Sequence, residues 1–423
     1  MILIKNGRII DPVTNTDKIS NIVIDGETIK QIGMTGLPTE EFGIVIDAGG
    51  LVVSPGLVDV HVHFRDPGLT YKEDIESGSA AAARGGFTTV VCMANTKPVM
   101  DSPEGLGLFM EKAGLSKINV KTIAAVSKGL EGKELTDPDA LIKAGAVGFS
   151  DDGAGIMDSG LLLKAMTRFK ALDVPISLHE EDPSLIENMG VNAGPASDKL
   201  GLKGATSAAE STMVARDSML ALHTGAKVHF QHLSCKESVA IVRLAKSLGA
   251  RITAEVTPSH FSLTENAVIE KGSLAKVNPP LRSEKDRRAL IEGLKDGTID
   301  MIATDHAPHS DEEKARVFTE APSGIIGLET ALALGITNLV RPGELSLATL
   351  IERISSAPAR LYGISAGFIT EGGPGDLVIF DPDESWTVTD FLSKSSNSPF
   401  LGQVLYGRVK YTICGGAVVY KSD

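Results

Sequence analysis

The stretch Leu57-Val-Asp-Val-His-Val-His-Phe64 is an apolar run of strand length that carries two histidines near its end. Similar runs follow along the chain: Thr88–Ala94, Val120–Val126, Ala146–Ser150, Pro175–His179, Lys227–Leu233, Arg251–Pro258 and Met301–Thr304. Stretches with helical patterning lie between them: Ile75–Arg84, Asp137–Ala144, Ser159–Leu172, Ser207–Leu222, Lys236–Leu248 and Ser283–Lys295. Apolar strands that alternate with helices indicate parallel strands covered on both faces. The pattern therefore predicts an α/β fold with a (β/α)8 barrel of the TIM type over residues 55–362.

An open, doubly wound sheet is the rival architecture, but no glycine-rich dinucleotide loop follows the first run. The two chain ends differ from the middle. They contain short β-type runs such as Asn21-Ile-Val-Ile-Asp25 and Asp376-Leu-Val-Ile-Phe380, with Asn-Gly or Asp-Gly turn signals near the N-terminus. Neither end holds enough strands for a core of its own. We therefore expect residues 1–54 and 363–423 to combine into one small β-sandwich domain, with the barrel inserted between them.

The composition restricts the class of protein. Lys and Arg total 41 against 54 Asp and Glu, which gives a net charge of −13 and disfavours a nucleic-acid partner. Cys92, Cys235 and Cys414 are far apart and form no CxxC pair, which indicates a reduced, cytoplasmic protein without a thiolate metal site. No run approaches the roughly 18 apolar residues of a membrane span, so no membrane partner is expected.

Six of the nine histidines fall at or just beyond the ends of predicted strands: His61, His63, His179, His232, His306 and His309. Aspartates follow two of these strands, as Asp151-Asp152 and as Asp305. Active sites of such barrels lie at the carboxyl ends of the strands, and strand alternation puts His61 and His63 on one face. His-x-His alone, or Asp-His-Ala-Pro alone, is equally typical of a structural role, and His179 or His232 alone is more typical of a core histidine. Together they favour a two-metal centre with a bridging carboxylate. Imidazole and carboxylate groups suit Zn²⁺, and these side chains outnumber the four ligands of a single tetrahedral site.

The other histidines have different interpretations. His229 lies three residues before His232, so on a continuous strand it faces the other way, and we expect it to pack against helices. His223 follows a helix and is expected to be a surface cap. His260 lies beyond the seventh strand, and its role stays open.

Several longer motifs stand at the same strand ends: His61-Val-His-Phe-Arg-Asp-Pro-Gly68, Met93-Ala-Asn-Thr-Lys-Pro98, Gly148-Phe-Ser-Asp-Asp-Gly153, Glu255-Val-Thr-Pro258, Lys276-Val-Asn-Pro-Pro-Leu281 and Ala303-Thr-Asp-His-Ala-Pro-His309. In this combination the chain resembles the type I dihydroorotases of the amidohydrolase superfamily, in the cyclic amidohydrolase branch. The resemblance covers nearly the whole chain, including the split β domain. Asp-His-Ala-Pro alone would indicate only the branch.

The resemblance implies two zinc ions. It assigns one to His61, His63 and Asp305 and the other to His179 and His232, with an aspartate bridging both. Of the adjacent Asp151 and Asp152, the distance that the family keeps to the histidine of the fifth strand selects Asp152. Hydantoinases and allantoinases typically use a carboxylated lysine as the bridge, and the absence of lysine from Gly148-Phe-Ser-Asp-Asp-Gly153 argues against those relatives.

The implied reaction is the reversible closure of N-carbamoyl-L-aspartate to L-dihydroorotate, a step in pyrimidine (UMP) biosynthesis. In the hydrolytic direction a zinc-activated hydroxide attacks the ring amide, and Asp305 is the expected proton shuttle. The resemblance places substrate contacts at His63, Arg65, Asn95, Asn278, His309, Ser323 and Gly324. Arg65 suits the substrate carboxylate because a guanidinium binds it at two points. Ser323 stands where the family usually has an aromatic residue, so we expect the pocket to differ there.

Two other functions stay open at this point. One is a cyclic amidohydrolase that acts on hydantoin or allantoin. The other is an inactive dihydroorotase-like subunit that supports a partner such as aspartate transcarbamoylase, although a degenerate subunit is expected to lose metal ligands and this chain keeps them all. A homodimer is compatible with either function. The charged stretch Pro308–Ser323 is long for a barrel loop, and we expect it to act as a lid.

Overall fold

The computed structural model describes residues 1–36 and 38–422. The strands are β1 Ile2–Asp11, β2 Thr16–Asp25, β3 Thr28–Ile32, β4 Ile44–Asp47, β5 Val52–Pro55, β6 Leu57–Val62, β7 Phe87–Cys92, β8 Asn119–Thr122, β9 Phe149–Ser150, β10 Ile176–Leu178, β11 Val228–Phe230, β12 Ile252–Val256, β13 Met301–Ile302, β14 Leu377–Thr387, β15 Val404–Cys414 and β16 Ala417–Lys421. The α-helices are α1 Ile75–Arg84, α2 Pro103–Ala113, α3 Pro138–Lys143, α4 Ser159–Leu172, α5 Pro195–Leu200, α6 Ser207–Thr224, α7 Lys236–Ser247, α8 Pro258–Ser262, α9 Asn266–Lys271, α10 Glu284–Asp296, α11 Asp311–Lys314, α12 Ala331–Gly335, α13 Leu347–Ile351 and α14 Ala357–Leu361. Within this described part of the chain, no helix has both the length and the apolar character needed to cross a membrane.

The strands β6 to β13 form the barrel. Parallel ladders join β6, β7 and β8 in order, and a second series joins β9 through β13. Two parallel bridges close the ring: Ala124 pairs with Phe149, and Val62 pairs with His306. The predicted (β/α)8 barrel is thus confirmed, although every strand is shorter than its apolar run. The runs also include residues at the carboxyl ends, where the chain leaves the ladder and enters the loops.

Alternation along the strands separates two environments inside the barrel domain. On β12, Ile252, Ala254 and Val256 join a large apolar cluster that includes residues of the surrounding helices. The alternate residues Thr253 and Glu255 therefore face the barrel interior. This arrangement places buried polar groups inside the barrel, close to its carboxyl-end rim.

The two chain ends share one mixed sheet in the order β16-β15-β14-β5-β1-β2-β3, with β4 paired to β1. The antiparallel pairing of β14 with β5, in which Ile379 lies opposite Val53, joins the C-terminal strands to the N-terminal ones. A separate core of isoleucines and valines from both ends, including Ile22, fills this domain. The predicted small β domain built from both ends is therefore present.

The segment between β14 and β15 leaves this sheet and packs against the barrel. Within it, Asn397 is buried at 1% exposure. Its Nδ2 donates to the carbonyls of Ala307 and Gly324, both at 3.0 Å, and its Oδ1 accepts from the His309 amide at 3.1 Å. The C-terminal part of the chain thus fixes two loops at the carboxyl-end rim of the barrel.

Candidate metal centre and substrate cleft

Two histidines at the end of β6 direct one ring nitrogen each towards the same point. His61 Nδ1 lies 2.6 Å from Glu255 Oε1, which leaves Nε2 for the centre. His63 Nδ1 lies 2.9 Å from Asn95 Oδ1, and its Nε2 lies 3.0 Å from Asp305 Oδ1. Asp305 Oδ1 is also 3.4 Å from His61 Nε2. Strand alternation therefore brings these two imidazoles together, and Asp305, which follows β13, meets them at the same rim.

A second pair of histidines comes from β10 and β11, with His179 Nδ1 and His232 Nε2 only 2.9 Å apart. Asp152 lies between the two pairs. Its Oδ1 is 3.4 Å from His61 Nε2 and 3.7 Å from His179 Nδ1, and its Oδ2 is 3.5 Å from His63 Nε2. The neighbouring Asp151 instead accepts hydrogen bonds from the backbone N–H groups of Val126 and Ser127. Of the two adjacent aspartates, Asp152 is the one that reaches the histidines.

The residues present fit divalent metal ions. Ligand atoms of His61, His63 and Asp152, and likewise of Asp152, His179 and His232, lie within 4.8 Å of one another. Within the described residues, His61 Nε2 and Asp152 Oδ1 are buried without a hydrogen-bond partner, which is costly unless a cation satisfies both. Burial would raise the pKa of Asp152, but its electrostatic interactions with His61, His232 and His63 hold it well below its usual value. The site therefore presents an ionised carboxylate between two pairs of imidazoles.

Glu255 on β12 accepts hydrogen bonds from three histidines, His61, His229 and His232. It accepts from His61 Nδ1, from His229 Nε2 at 2.9 Å and from the backbone N–H of His232 at 3.2 Å. Burial would raise the pKa of Glu255, but interaction with His61 and His229 outweighs it and lowers that pKa. Sequence reasoning quoted the motif Glu255-Val-Thr-Pro258 without giving this residue a role.

The prediction that His229 packs against helices is wrong. Its strand neighbours Val228 and Phe230 pack into the apolar cluster shared with the helices, so His229 faces the barrel interior, where it bonds Glu255. The prediction placed His229 and His232 on opposite faces because it assumed one continuous strand. In the structure β11 ends at Phe230, and His232 has a φ of 33°. His232 therefore does not obey strand alternation.

The remaining histidines lie outside this set of ligands. His260 is buried, with Nδ1 2.8 Å from Thr257 Oγ1 and Nε2 2.9 Å from the Pro279 carbonyl, and burial lowers its pKa to about 4. His306 bonds Glu73 through Nε2 at 3.3 Å. His223 is exposed, as expected, but it lies in the last turn of α6 rather than after the helix, and Gly225 is the C-cap.

A cleft of about 520 Å³ opens onto the two groups of ligands. Its lining includes all of the predicted substrate contacts: His63, Arg65, Asn95, Asn278, His309, Ser323 and Gly324. Asn95 is held in place, since its Nδ2 donates to Asp152 Oδ2 at 3.0 Å while its Oδ1 faces His63. Gly324 has a φ of 146°, and a Cβ there would lie 2.7 Å from the Ala307 carbonyl. Only glycine fits this close approach of two loops.

Comparison with known proteins identifies the family to which this site belongs. A family model described as dihydro-orotase-like matches residues 50–238. The chain is 60% identical over 422 residues to a dihydroorotase of Clostridioides difficile, with both chains covered in full. It is 54% identical over 422 residues to a dihydroorotase of Lactococcus lactis, which covers 100% of this chain and 99% of the relative. This chain belongs to the dihydroorotase family.

Solved structures place the dihydroorotase fold of this chain in the amidohydrolase superfamily. An L-hydantoinase from Arthrobacter aurescens superposes with a TM-score of 0.86 at 27% identity, covering 99% of this chain and 96% of its own. A D-hydantoinase from Thermus sp. gives a TM-score of 0.85 at 30% identity, covering 100% and 96%. Both the barrel and the domain built from the chain ends are thus shared with hydantoinases. The fold does not distinguish this chain from hydantoinases, but its higher sequence identity to dihydroorotases does.

The loop 308–323 contributes His309 and Ser323 to the lining of the cleft in this member of the dihydroorotase family. Two lysines with buried side chains hold it by its carbonyl groups. Lys276 Nζ donates to Phe318 and Ala321 at 2.7 Å each, and Lys314 Nζ donates to Pro322 at 3.0 Å. The loop also contains the short helix α11. Its role as a lid stays a prediction.

Shortening the tip of this loop tests the lid. Deleting residues within 315–320, while keeping Lys314 and Pro322, should raise KM or lower kcat, because the loop would lose the Phe318 carbonyl that Lys276 holds and would no longer fix His309 and Ser323 at the cleft. Steady-state kinetics in both directions provide the measurement, with circular dichroism as a check of folding. Unchanged kinetics in a folded variant would contradict the lid.

Proposed function

We propose that this chain catalyses the reversible closure of N-carbamoyl-L-aspartate to L-dihydroorotate. The observation that carries the proposal is that Arg65 lines the same cleft as both groups of metal-ligand candidates. A guanidinium beside a hydrolytic centre suits a ring that bears a carboxylate, which hydantoin lacks. The test is side-by-side turnover of L-dihydroorotate and hydantoin by the purified protein. Preferential turnover of hydantoin would overturn the proposal.

We propose two Zn²⁺ ions, one held by His61, His63 and Asp305 and the other by His179 and His232, with Asp152 bridging them. A bound divalent cation supplies Lewis-acid chemistry, since it lowers the pKa of water towards about 7 and polarises a carbonyl oxygen. Elemental analysis of the purified protein tests the number and identity of the ions. Folded protein that binds no metal and shows no turnover would instead favour the inactive subunit.

The chain's own residues supply binding and proton transfer. Arg65 binds the substrate carboxylate, and Asn95, Asn278 and His309 orient the ring from the cleft wall. In the hydrolytic direction Asp305 accepts a proton from the attacking water and delivers it to the ring nitrogen as the amide C–N bond breaks. Its position next to His61 and His63 puts its carboxylate at the centre of the site.

Arg65 should act mainly in binding. Arg65→Ala is expected to raise KM for L-dihydroorotate and for N-carbamoyl-L-aspartate by about 10- to 100-fold, the range for losing a charge-assisted hydrogen bond. Arg65→Lys is the matched variant, because it keeps the charge but loses the two-point fork, and it should give an intermediate KM. An unchanged KM in Arg65→Ala would reject the carboxylate role.

We further propose that residues 1–54 with 363–423 act as one domain and residues 55–362 as the other, and that the protein works in the cytoplasm.

The homodimer and the complex with aspartate transcarbamoylase also stay predictions. Light scattering of the chain alone, and of a mixture with aspartate transcarbamoylase, tests both. The mass of a single chain in the first experiment would contradict the homodimer. In the second experiment, masses of the two proteins without any larger species would contradict the complex.

A further inference from the structure

A buried lysine stands behind His309, outside the lining of the substrate cleft. Lys72 is 7% exposed, and its Nζ lies 3.2 Å from His309 Nδ1 and 3.0 Å from Glu313 Oε1. Its backbone carbonyl accepts from Ser395 Oγ at 2.7 Å, which ties it to the C-terminal segment. Burying an ammonium group costs free energy unless its partners compensate. The contacts of Lys72 Nζ with one imidazole and one carboxylate are therefore expected to have a role.

The contact fixes the position of the proton on His309. An ammonium group has donors and no acceptor, so Nδ1 of His309 must accept from Lys72. The ring proton then lies on Nε2, which is 2.9 Å from the Ser323 carbonyl and donates to it. Arg65 Nη2 is 3.4 Å from the same nitrogen, but two N–H groups cannot bond each other, so the guanidinium keeps its protons for another acceptor.

The charge state of His309 agrees with this assignment. Burial and the adjacent cations Arg65, Lys72 and Lys314 lower its pKa to about 3. His309 is therefore neutral at working pH, and its one proton is donated to the Ser323 carbonyl. The Arg65 guanidinium, whose Nε donates to the Pro308 carbonyl at 3.2 Å, thus keeps its Nη2 protons for an anion in the cleft.

We propose that Lys72 is a positioning residue for substrate specificity: by occupying His309 Nδ1, it keeps the proton on Nε2, so that His309 cannot accept from Arg65 and the guanidinium stays available to the substrate carboxylate. The inference deepens the proposed function and rests on it. Without Lys72, Nδ1 could carry the proton and donate to Glu313 Oε2, which lies 3.5 Å away. Nε2 would then accept from Arg65 Nη2, 3.4 Å away, and draw the guanidinium from the substrate carboxylate.

Three variants test the effect on binding. Lys72→Met removes the charge at similar length and should raise KM for L-dihydroorotate by about tenfold, with a smaller change in kcat. Lys72→Arg keeps a donor-only group and should stay near the wild-type KM. Lys112→Met is the matched control, because Lys112 is a more exposed lysine that pairs with Asp66 at 2.9 Å and should leave KM unchanged. An unchanged KM in Lys72→Met, or an equal rise in the control, would overturn the inference.

Nitrogen-15 NMR of the zinc-loaded protein tests the tautomer directly. The His309 signals are those lost in His309→Asn, and in the wild type they should show a protonated Nε2 and a bare Nδ1. A proton on Nδ1 of the wild type would refute the inference even if Lys72→Met failed to fold. The proposed function fails separately, if the wild-type protein does not turn over L-dihydroorotate whatever tautomer His309 adopts.

Discussion

Replacing Asp305 with asparagine is expected to lower kcat by about 10²- to 10⁴-fold in both directions, the usual contribution of a general acid–base group. The amide keeps the shape of the carboxylate and an oxygen that faces His63, but it cannot take up and release a proton at neutral pH. The residue is 9% exposed and lies within 3.4 Å of ring nitrogens of both β6 histidines. The fold should therefore survive while proton transfer stops.

The matched control lies at the other end of the same strand. Asp300 comes just before β13, where its Oδ2 accepts from Lys246 Nζ at 2.6 Å and from the Ala254 amide at 2.8 Å. Asp300→Asn makes the same chemical change away from the cleft and should leave kcat of the folded protein near the wild-type value. Initial rates of ring opening and ring closure provide the measurement. Near-normal kcat in folded, metal-loaded Asp305→Asn would exclude the shuttle.

Much of the barrel was predictable because its strands are buried on both faces and carry continuous apolar runs. Helices α1 and α4 occupy the predicted ranges Ile75–Arg84 and Ser159–Leu172. Helix α2 was missed, since Gly105 and Gly107 weaken its helical pattern. The sequence signal for this helix lay at its start instead. Ser102 caps the helix, since its Oγ accepts from the Gly105 amide, and Pro103 takes the first helical position.

The meeting of the candidate ligands was predictable for a simple reason: in a barrel, the residues after each strand lie at one rim. The groups that hold those ligands were not. Glu255, Lys72 and Asn397 come from a strand interior, a loop and the C-terminal segment, and only the folded chain brings them to the rim. The prediction for His229 was wrong for a related reason, because the alternation of side chains between two faces stops where the strand ladder stops. Local spacing cannot specify which buried groups meet across the barrel.

Replacing Glu255 with glutamine should weaken the hold on metal by about 10- to 100-fold, the effect of losing a group that orients a ligating histidine. The carboxylate now accepts from His61, His229 and the His232 amide at once. A glutamine has one acceptor oxygen, and its NH₂ group would face at least one of these donors. We expect His61 to turn, or to change tautomer, so that Nε2 no longer points into the centre.

Glu180 offers a matched control for this substitution. It is buried at 2% exposure next to His179 in the chain, yet within the described residues its carboxyl group bonds no histidine. Burial and the neighbouring Asp217 raise its pKa well above the usual value, so glutamine reproduces its neutral form. Zinc dissociation constants from chelator competition should therefore rise in Glu255→Gln and stay unchanged in Glu180→Gln. Equal affinities in both variants would mean that His61 is held by the strand backbone alone, and that Glu255 only fills space.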